Sequence, residues 1–275
     1  MTTHPEPAST RVKPTFHQFH WSAVSVILVM ATACLAAAGL VACSARPILV
    51  GVPLGLTGLA STISVHSRNG IELALSWINA AGGIRGRPLQ LLIENDHDNP
   101  DSGLQAATKL VEQVAIALVG HMAIAPAIKS VDYLTEHWIP LISPTIPSTD
   151  YSGKDDYFFR TIGPNDAQGR TLAQEALRRG YRTASVVLNI MNSSYTTRYG
   201  EEPEFGALYG YEAMSILAAA IRKARKTDGP AIKKALLSTR SYHGLHNEIV
   251  INKYGDTDRP YYLYEVRNGV FVRLP

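Results

Sequence analysis

The sequence predicts an α/β fold built around a doubly wound parallel sheet, and three features indicate it. Short apolar runs alternate along the chain with segments whose apolar residues recur at helical spacing. The runs are hydrophobic at successive positions, as in strands that helices cover on both faces. Polar residues follow several of the runs, at the strand ends where open α/β sheets bind ligands.

The stretch from Asn69 to Pro100 shows these features most clearly. Its first part is predicted to be a helix that ends at Gly82-Gly83, because glycine adopts the left-handed conformation without steric strain. A buried strand is predicted at Leu89–Ile93, and the polar cluster Glu94–Asp98 follows it. The apolar face of the helix consists of Ile71, Ala74, Leu75, Ile78 and Ala81.

The other elements continue this alternation, and their connections predict right-handed crossovers between parallel strands. The predicted strands are Ile48–Leu54, Leu89–Ile93, Ala115–Val119, Ile139–Ile142, Tyr157–Thr161 and Thr183–Leu188. The predicted helices that follow are Gly103–Val114, Pro126–His137, a helix capped by Asn165-Asp166 that runs to Gly180, Phe205–Ala224 and Pro230–Ser238. Three later strands are expected at Ile249–Ile251, Tyr261–Val266 and Val270–Val272, with a tight turn at Asn268-Gly269 between the last two.

Composition excludes some classes of function. The chain has 275 residues, 46% of them hydrophobic, and a formal net charge of +3. This charge is small, so nucleic acid is not an expected partner. The densest cationic cluster, Arg222–Lys226, ends a predicted helix, where cations interact favourably with the helix dipole. Length and composition fit one or two globular domains.

The N-terminal segment is predicted to be a targeting signal. Ser22–Val41 is uncharged and apolar, and it leads into Leu40-Val41-Ala42-Cys43-Ser44, which looks like a bacterial lipobox with Cys43 as the lipidated residue. The alternative is an uncleaved membrane-spanning anchor. In either case the body is expected outside the cytoplasmic membrane. The two cysteines, Cys34 and Cys43, both precede the body, so disulfides and cysteine metal sites are not expected in it.

Several blocks of the body resemble the type I periplasmic binding proteins for branched-chain amino acids and amides, the extracytoplasmic receptors of ABC importers. The blocks are GLTGLAS (Gly55–Ser61), NGIELALSWINAAGGIRGRPLQL, ENDHDNP, ALVGHM, IPLISPT, DDYFFRTIGPNDAQG (Asp155–Gly169) and EFGALYGYEAMSILAAAIRKA. This resemblance implies two α/β lobes that close around a ligand by a hinge motion. It also implies that hydroxyl and main-chain N–H groups bind the ligand carboxylate, while an acidic group in the other lobe binds the ammonium.

The resemblance also supplies the candidate ligand-binding residues. The first loop corresponds to His121, Met122 and Ala123, the second to Ser143 and Thr145 with Ser148 beyond them, and the first loop of the second lobe contributes Tyr195. Other interpretations stay open. Tyr195 could cap a helix. His121 could be a hydrogen-bonded structural histidine, a metal ligand or a base, and Asp96-His97-Asp98 is expected to be a solvated loop.

The chain departs from the family pattern in the second lobe. The block NSSYT is followed almost at once by the approach to the returning helix at Phe205, so on the order of 100 residues are absent. The predicted organisation is a signal segment at 1–43, a first lobe at 44–163 and 205–275, and a remnant of the second lobe at 164–204. A closed cleft that holds both charges of an amino acid is therefore expected to be incomplete.

The leading hypothesis is a lipid-anchored solute-binding protein of an ABC importer, with an amino acid or small amide as ligand and a permease as partner. The alternative is a membrane-tethered sensory or interaction domain. Enzymatic activity, a cofactor and a metal are not expected, because the sequence has no nucleophile elbow, P-loop or paired catalytic carboxylates.

Overall fold

A five-stranded parallel sheet forms the centre of the structure, a computed structural model that describes residues 46–57, 61–180 and 205–274. The strand order is β2-β1-β3-β4-β5, so the chain winds outward from β1 in both directions, and the predicted doubly wound sheet is confirmed. The strands are β1 (Ile48–Leu54), β2 (Leu89–Asn95), β3 (Leu118–Val119), β4 (Leu141–Ser143) and β5 (Phe158–Arg160).

Helices cover both faces of this sheet. On one face α1 and α5, together with α6, enclose a core that includes Val50 and Phe159, and on the other α2 and α3 pack over Leu118 and Phe158. Phe158 and Phe159 point to opposite faces because successive strand residues alternate. The helices are α1 (Ser61–Ala80), α2 (Pro100–Glu112), α3 (Ile124–Glu136), α4 (Asn165–Arg178), α5 (Phe205–Lys223) and α6 (Gly229–Thr239).

Helix starts differ from the predicted ones for local reasons. The α2 helix begins at Pro100 rather than Gly103, because the Asn99 side chain accepts a hydrogen bond from the Ser102 N–H and proline suits the first helical position. The predicted cap at Asn165 is wrong, since Pro164 occupies that position and no side chain caps α4. The α1 helix begins at Ser61, before the predicted segment.

The strand β2 lies at the edge of the sheet, and most of its residues are less buried than in the strand covered by helices on both faces that its apolar run predicted. It pairs only with β1 within the described sheet, in register from Ile48 opposite Leu89 to Leu54 opposite Asn95. Leu89 is buried, whereas Ile93 is partly exposed. The run of hydrophobic residues identified a strand correctly, but strand order depends on crossovers that a local pattern does not contain.

Close contact through glycines joins α1 and α5. A Cβ atom on Gly70 would lie 1.9 Å from the carbonyl oxygen of Ala207, and one on Gly210 would lie 2.3 Å from that of Ser67. A Cβ atom on Gly206 would lie 2.9 Å from Ser67 Oγ and 3.0 Å from the carbonyl oxygen of Ile63. The two helix backbones therefore touch where no side chain separates them, and α5 is held against the part of the chain that precedes residue 181.

The C-terminal region adds two antiparallel sheets. One contains β6 (Ser241–His243), β7 (Glu248–Ile251) and β8 (Thr257–Asp258), and the other is the hairpin of β9 (Tyr264–Arg267) and β10 (Val270–Arg273). The predicted tight turn at Asn268-Gly269 is confirmed, with φ of +52° and +79°. The strands β6 and β8 were not predicted from the sequence.

The α4 helix differs from the other helices because none of its residues is buried. Its end is bonded to the C-terminal hairpin, where Arg179 Nη1 lies 2.6 Å from Glu265 Oε2. Hydrogen bonds from Arg178 and Arg179 lower the pKa of Glu175 to about 2. The strand predicted at Thr183–Leu188 lies outside the described residues, so the division into a first lobe and a remnant at 164–204 stays a prediction.

The Gly210→Ala substitution tests the contact between α1 and α5. We expect the free energy of unfolding to fall by about 2 kcal/mol, because the new methyl group would force the two backbones apart. The control is Gly169→Ala on α4, where an added Cβ meets no atom within 4 Å and alanine should stabilise the helix by about 1 kcal/mol. Urea unfolding measures both, and a loss of stability in the control alone would contradict the packing.

Candidate functional site

The carboxyl edge of the sheet brings together the loops that follow four strands. Because the strands are parallel, the loops after β1, β2, β3 and β4 all emerge at this edge. The predicted first ligand loop, Gly120–Ala123, follows β3, and the predicted second loop begins at Ser143 in β4. The structure therefore places the candidate residues of the first lobe, from His121 to Ser148, in one region.

A buried carboxylate–imidazole pair lies beneath these loops. Asp96 Oδ2 is 2.7 Å from His121 Nδ1, and both side chains are almost fully buried. The other carboxylate oxygen, Oδ1, accepts the Asp98 N–H at 3.1 Å. A Cβ on Gly55 would lie 3.4 Å from that oxygen, so the loop after β1 passes over the pair. Asp96 and His121 thus join the ends of β2 and β3 across the end of β1.

The pair bears on two interpretations that the sequence left open. The Nδ1 atom of His121 is hydrogen-bonded and its side chain has no exposure, as in the structural interpretation, while its predicted contact with a ligand stays a prediction. The solvated loop expected at Asp96-His97-Asp98 is wrong for Asp96, which is fully buried because its side chain turns inward to His121. His121 Nε2 is also buried and has no hydrogen-bond partner within the described residues.

The candidate hydroxyl groups bond to the loops themselves. Ser143 Oγ donates to the His121 carbonyl at 2.8 Å and accepts the Ile146 N–H at 3.2 Å. Thr145 Oγ1 donates to the Met122 carbonyl at 2.6 Å. These bonds fix the loop after β4 to the loop after β3. The hydroxyls therefore order the edge of the sheet, and their predicted contact with a ligand stays a prediction.

Ser148 has a similar local role. Its hydroxyl accepts the Asp150 N–H at 3.3 Å and lies 2.9 Å from Asp150 Oδ2, at the start of a single 3₁₀ turn, Thr149–Tyr151. The Ser148 carbonyl accepts a hydrogen bond from Arg160 Nη1 at 2.8 Å. Ser148 is buried, and its backbone carbonyl holds this segment to β5.

The start of α3 offers main-chain donors beside the first loop. Ala123 occupies the capping position with extended backbone, φ −124° and ψ 161°, and no side chain caps the helix. The first N–H groups of a helix have no partner within it, and the helix dipole favours an anion there. Ile124, the first helical residue, is 41% exposed. Ala123 therefore contributes to this site through its backbone conformation, which its apolar side chain does not indicate in the sequence.

Two buried ion pairs were missed by the sequence reasoning. Arg259 Nη1 and Nη2 lie 2.6 and 3.2 Å from the two carboxylate oxygens of Glu212, and Arg160 Nη2 lies 2.6 Å from Asp256 Oδ1. The Arg259 guanidinium also lies 5.0 Å from the centre of the Tyr209 ring. Burial raises the pKa of the Tyr209 phenol, and the Arg259 charge opposes that rise. Partners this distant in sequence leave no local pattern.

The remaining predicted sites fall outside the described residues. Tyr195 and the lipidation candidate Cys43 both lie there, and their roles stay predictions. Within the described residues, no group of three or more histidine, cysteine, aspartate or glutamate side chains could hold a metal ion. The helices of the described ranges include none that is both long and apolar enough to cross a membrane.

An open α/β sheet with ordered loops and an uncapped helix start at its carboxyl edge has the architecture of a ligand-binding lobe. The chain belongs to the periplasmic binding protein family. The family model, described as Periplasmic binding protein, matches residues 47–190, just over half of the chain. This confirms the resemblance seen in the sequence. The family and the fold are those of substrate-binding proteins, which are non-enzymatic components of transport.

Curated relatives match about half of the chain. A Leu/Ile/Val-binding protein homolog 3 of Brucella melitensis is 28% identical over 152 residues, which cover 55% of this chain and 41% of that protein. The Leu/Ile/Val-binding protein BraC3 of Rhizobium johnstonii is 30% identical over 132 residues, 48% of this chain and 36% of that protein. The chain thus spans about two fifths of the length of these curated relatives or less.

Solved structures share the fold at low sequence identity. The branched-chain amino acid transporter substrate binding protein LivJ of Streptococcus pneumoniae, in complex with isoleucine, superposes with a TM-score of 0.67 at 16% identity, over 83% of this chain and 100% of that one. A substrate-binding protein of Desulfitobacterium hafniense, in complex with Leu, gives 0.70 at 17% identity with the same coverage. An R. palustris solute-binding protein in complex with benzoate gives 0.69 at 16% identity, over 83% of this chain and 95% of that one.

The Asp96→Asn substitution tests the buried pair. Its amide cannot replace both acceptor roles of the carboxylate, so we expect the free energy of unfolding to fall by about 2 kcal/mol. The matched control is Asp101→Asn, which weakens the exposed pair with Lys129 and should change stability by less than about 1 kcal/mol. Urea unfolding of both variants makes the comparison. Equal effects would show that Asp96 does not stabilise the edge through His121.

Proposed function

We propose that the chain is a solute-binding protein of an ABC importer, with a branched-chain amino acid or a small amide as ligand and a permease as partner. One observation carries this proposal. At the carboxyl edge of the sheet, hydrogen bonds join the loops after β3 and β4 beside the start of α3, which no side chain caps. The curated relatives are named for leucine, isoleucine and valine binding, which supports the same ligand class. They do not favour the alternative of a sensory or interaction domain.

The ligand carboxylate would bind at the start of α3. Main-chain N–H groups at a helix start attract anions through their free donors and the helix dipole. Met122 and Ala123 orient these donors. The Ser143 hydroxyl holds this loop through the His121 carbonyl, and the Thr145 hydroxyl holds it through the Met122 carbonyl. Tyr195 is assigned to the facing side of the ligand, on the resemblance alone.

The proposed location is the outer face of the cytoplasmic membrane. Membership of the periplasmic binding protein family implies an extracytoplasmic location. We further propose that a lipid on Cys43 anchors the protein to this membrane, which the lipobox-like sequence supports. A permease in the same membrane would then receive the ligand from a tethered protein.

The ammonium of an amino acid has no acceptor assigned in the first lobe. The site candidates at the carboxyl edge present hydroxyls, main-chain donors and apolar side chains. Two nearby carboxylates, Asp96 and Asp150, are already bonded to His121 and Ser148. An unpaired charge in a closed site is strongly unfavourable. The proposal therefore includes weak binding, because the lobe that would accept the ammonium is shortened.

Isothermal titration of the full chain with leucine, isoleucine, valine and acetamide tests this function. We expect a Kd of about 1 mM or weaker for at least one of these ligands. Lysine is the control and should not bind, because its side chain is charged whereas those of leucine, isoleucine and valine are apolar. A submicromolar Kd would contradict the incomplete cleft, and no response to any ligand would contradict the binding function.

The Ile124→Pro variant tests the role of α3 in the same titration. Proline is compatible with the first helical position and with the extended backbone at Ala123, so it removes one N–H group and keeps the helix. Ile124→Ala removes the same side chain but keeps that N–H. We expect binding by the proline variant to be about tenfold weaker than by the alanine variant. Equal affinity would place the carboxylate elsewhere.

A further inference from the structure

A group of cations gathers at the edge of the sheet opposite the candidate ligand site. Arg85 Nη2 donates to the carbonyl of Arg222 at 3.0 Å and also to that of Ala224, so the turn before β2 lies against the end of α5. Arg87 Nε donates to the Arg46 carbonyl at 2.8 Å, which brings the start of the described chain to the same place. This basic face consists of Arg46, Arg85, Arg87, Arg222, Lys223, Arg225 and Lys226.

The charges of the basic face are not neutralised within the structure. None of its members forms an ion pair with a carboxylate in the described ranges. Two carboxylates of the same edge already have other partners. Asp155 is bonded to Lys233, and Asp228 accepts the Ala231 N–H at the start of α6. Glu112 and Glu136, which end α2 and α3, are outnumbered by the cations.

Two large apolar side chains lie exposed at this edge. Val114 follows α2 and is 70% exposed, and Trp138 follows α3 and is 62% exposed. Both have left-handed backbones, with φ of +60° and +57°, at positions where glycine is usual. A β-branched or bulky residue is rare in this conformation. They border an open groove of about 340 Å³ that Pro230 also lines.

The basic face and the groove are continuous. The end of α5 leads through Thr227 into α6, and a Cβ on Gly229 would lie 1.5 Å from the Trp138 carbonyl oxygen. Gly229, which packs against Trp138, therefore follows the cations at the end of α5 by only a few residues. Cations beside exposed Trp side chains are typical of surfaces that contact lipid headgroups.

The connection to the N-terminal segment indicates what faces this edge. The strand β1 begins at Ile48, and Ser44–Pro47 are the residues that separate it from Cys43. Five extended steps reach at most roughly 17 Å. A lipid on Cys43, which belongs to the function proposed above, would therefore hold the amino edge of the sheet close to the bilayer surface.

We propose that this edge is a membrane-contact surface for anionic phospholipids. The basic face binds the headgroups, and Trp138 and Val114 enter the interfacial layer, where indole rings are favoured. The ligand loops at the opposite edge then point away from the bilayer. The inference rests on the proposed tether for its geometry and on the basic face and the exposed indole for its chemistry.

Fluorescence quenching in reconstituted vesicles tests this surface. The full chain carries Trp21→Phe and Trp77→Phe, so that Trp138 is its one indole, and the vesicles contain lipids brominated on their acyl chains. We expect stronger quenching of Trp138 in vesicles of phosphatidylcholine with phosphatidylglycerol than in phosphatidylcholine alone. Raising the salt to about 0.5 M should reduce the difference, because it screens the headgroup charge.

Charge reversals identify the cations. The double variant Arg225→Glu and Lys226→Glu should lose most of the difference between the two lipid compositions. The matched control, Lys129→Glu with Arg170→Glu, changes the net charge equally but near the carboxyl edge, and should keep the difference. Flotation with vesicles of phosphatidylcholine alone reports the tether separately, because these vesicles offer the basic face no anionic headgroup.

The outcomes separate the two proposals. If the chain floats with the vesicles but quenching is independent of lipid charge and of the double reversal, the contact surface is wrong and the tether stands. If the chain floats with neither kind of vesicle, both the tether and the contact surface are wrong.

Discussion

The close contact between α1 and α5 is the constraint on which the rest of the structure depends. The chain leaves the sheet after β5 and returns at Phe205, and α5 is the first described element after the return. Gly70 on α1 and Gly206 and Gly210 on α5 allow the two backbones to meet without intervening side chains. The core on that face of the sheet includes residues of β1, α1, α5 and α6, so it is complete only when α5 is in place.

Buried ion pairs extend this arrangement to the C-terminal region. Glu212 on α5 holds Arg259, and Arg160 at the end of β5 holds Asp256, so the segment around β8 is fixed both to the returning helix and to the sheet. Burying such charges requires desolvation that can exceed their attraction, so these pairs specify geometry more than they add stability. Arg160 also bonds the Ser148 carbonyl. The same interactions therefore order one of the predicted ligand loops.

Local patterns in the sequence predicted the strands and helices of the sheet well. The bounds of β1 agree with the prediction, and the glycines that end α1 have the expected positive φ. Position within the sheet was not predictable from such patterns, and β2 proved to be an edge strand. The buried state of Asp96 was missed because its partner His121 is 25 residues away and meets it only across β1. The resemblance predicted which loops bind the ligand, but the hydrogen bonds that occupy the hydroxyls of Ser143 and Thr145 form only in the folded loops.

We infer that the segment after residue 204 completes the predicted first lobe and is not an appendage to it. Native-state hydrogen exchange of the full chain tests it most directly, because it measures the free energy of opening at each amide. The account predicts that amides in the middle of α5 open with the same free energy as those of β1 and α1, as one cooperative unit. Amides of α5 that open at a free energy lower by more than about 2 kcal/mol would contradict it, since the lobe would then be stable without its returning helix.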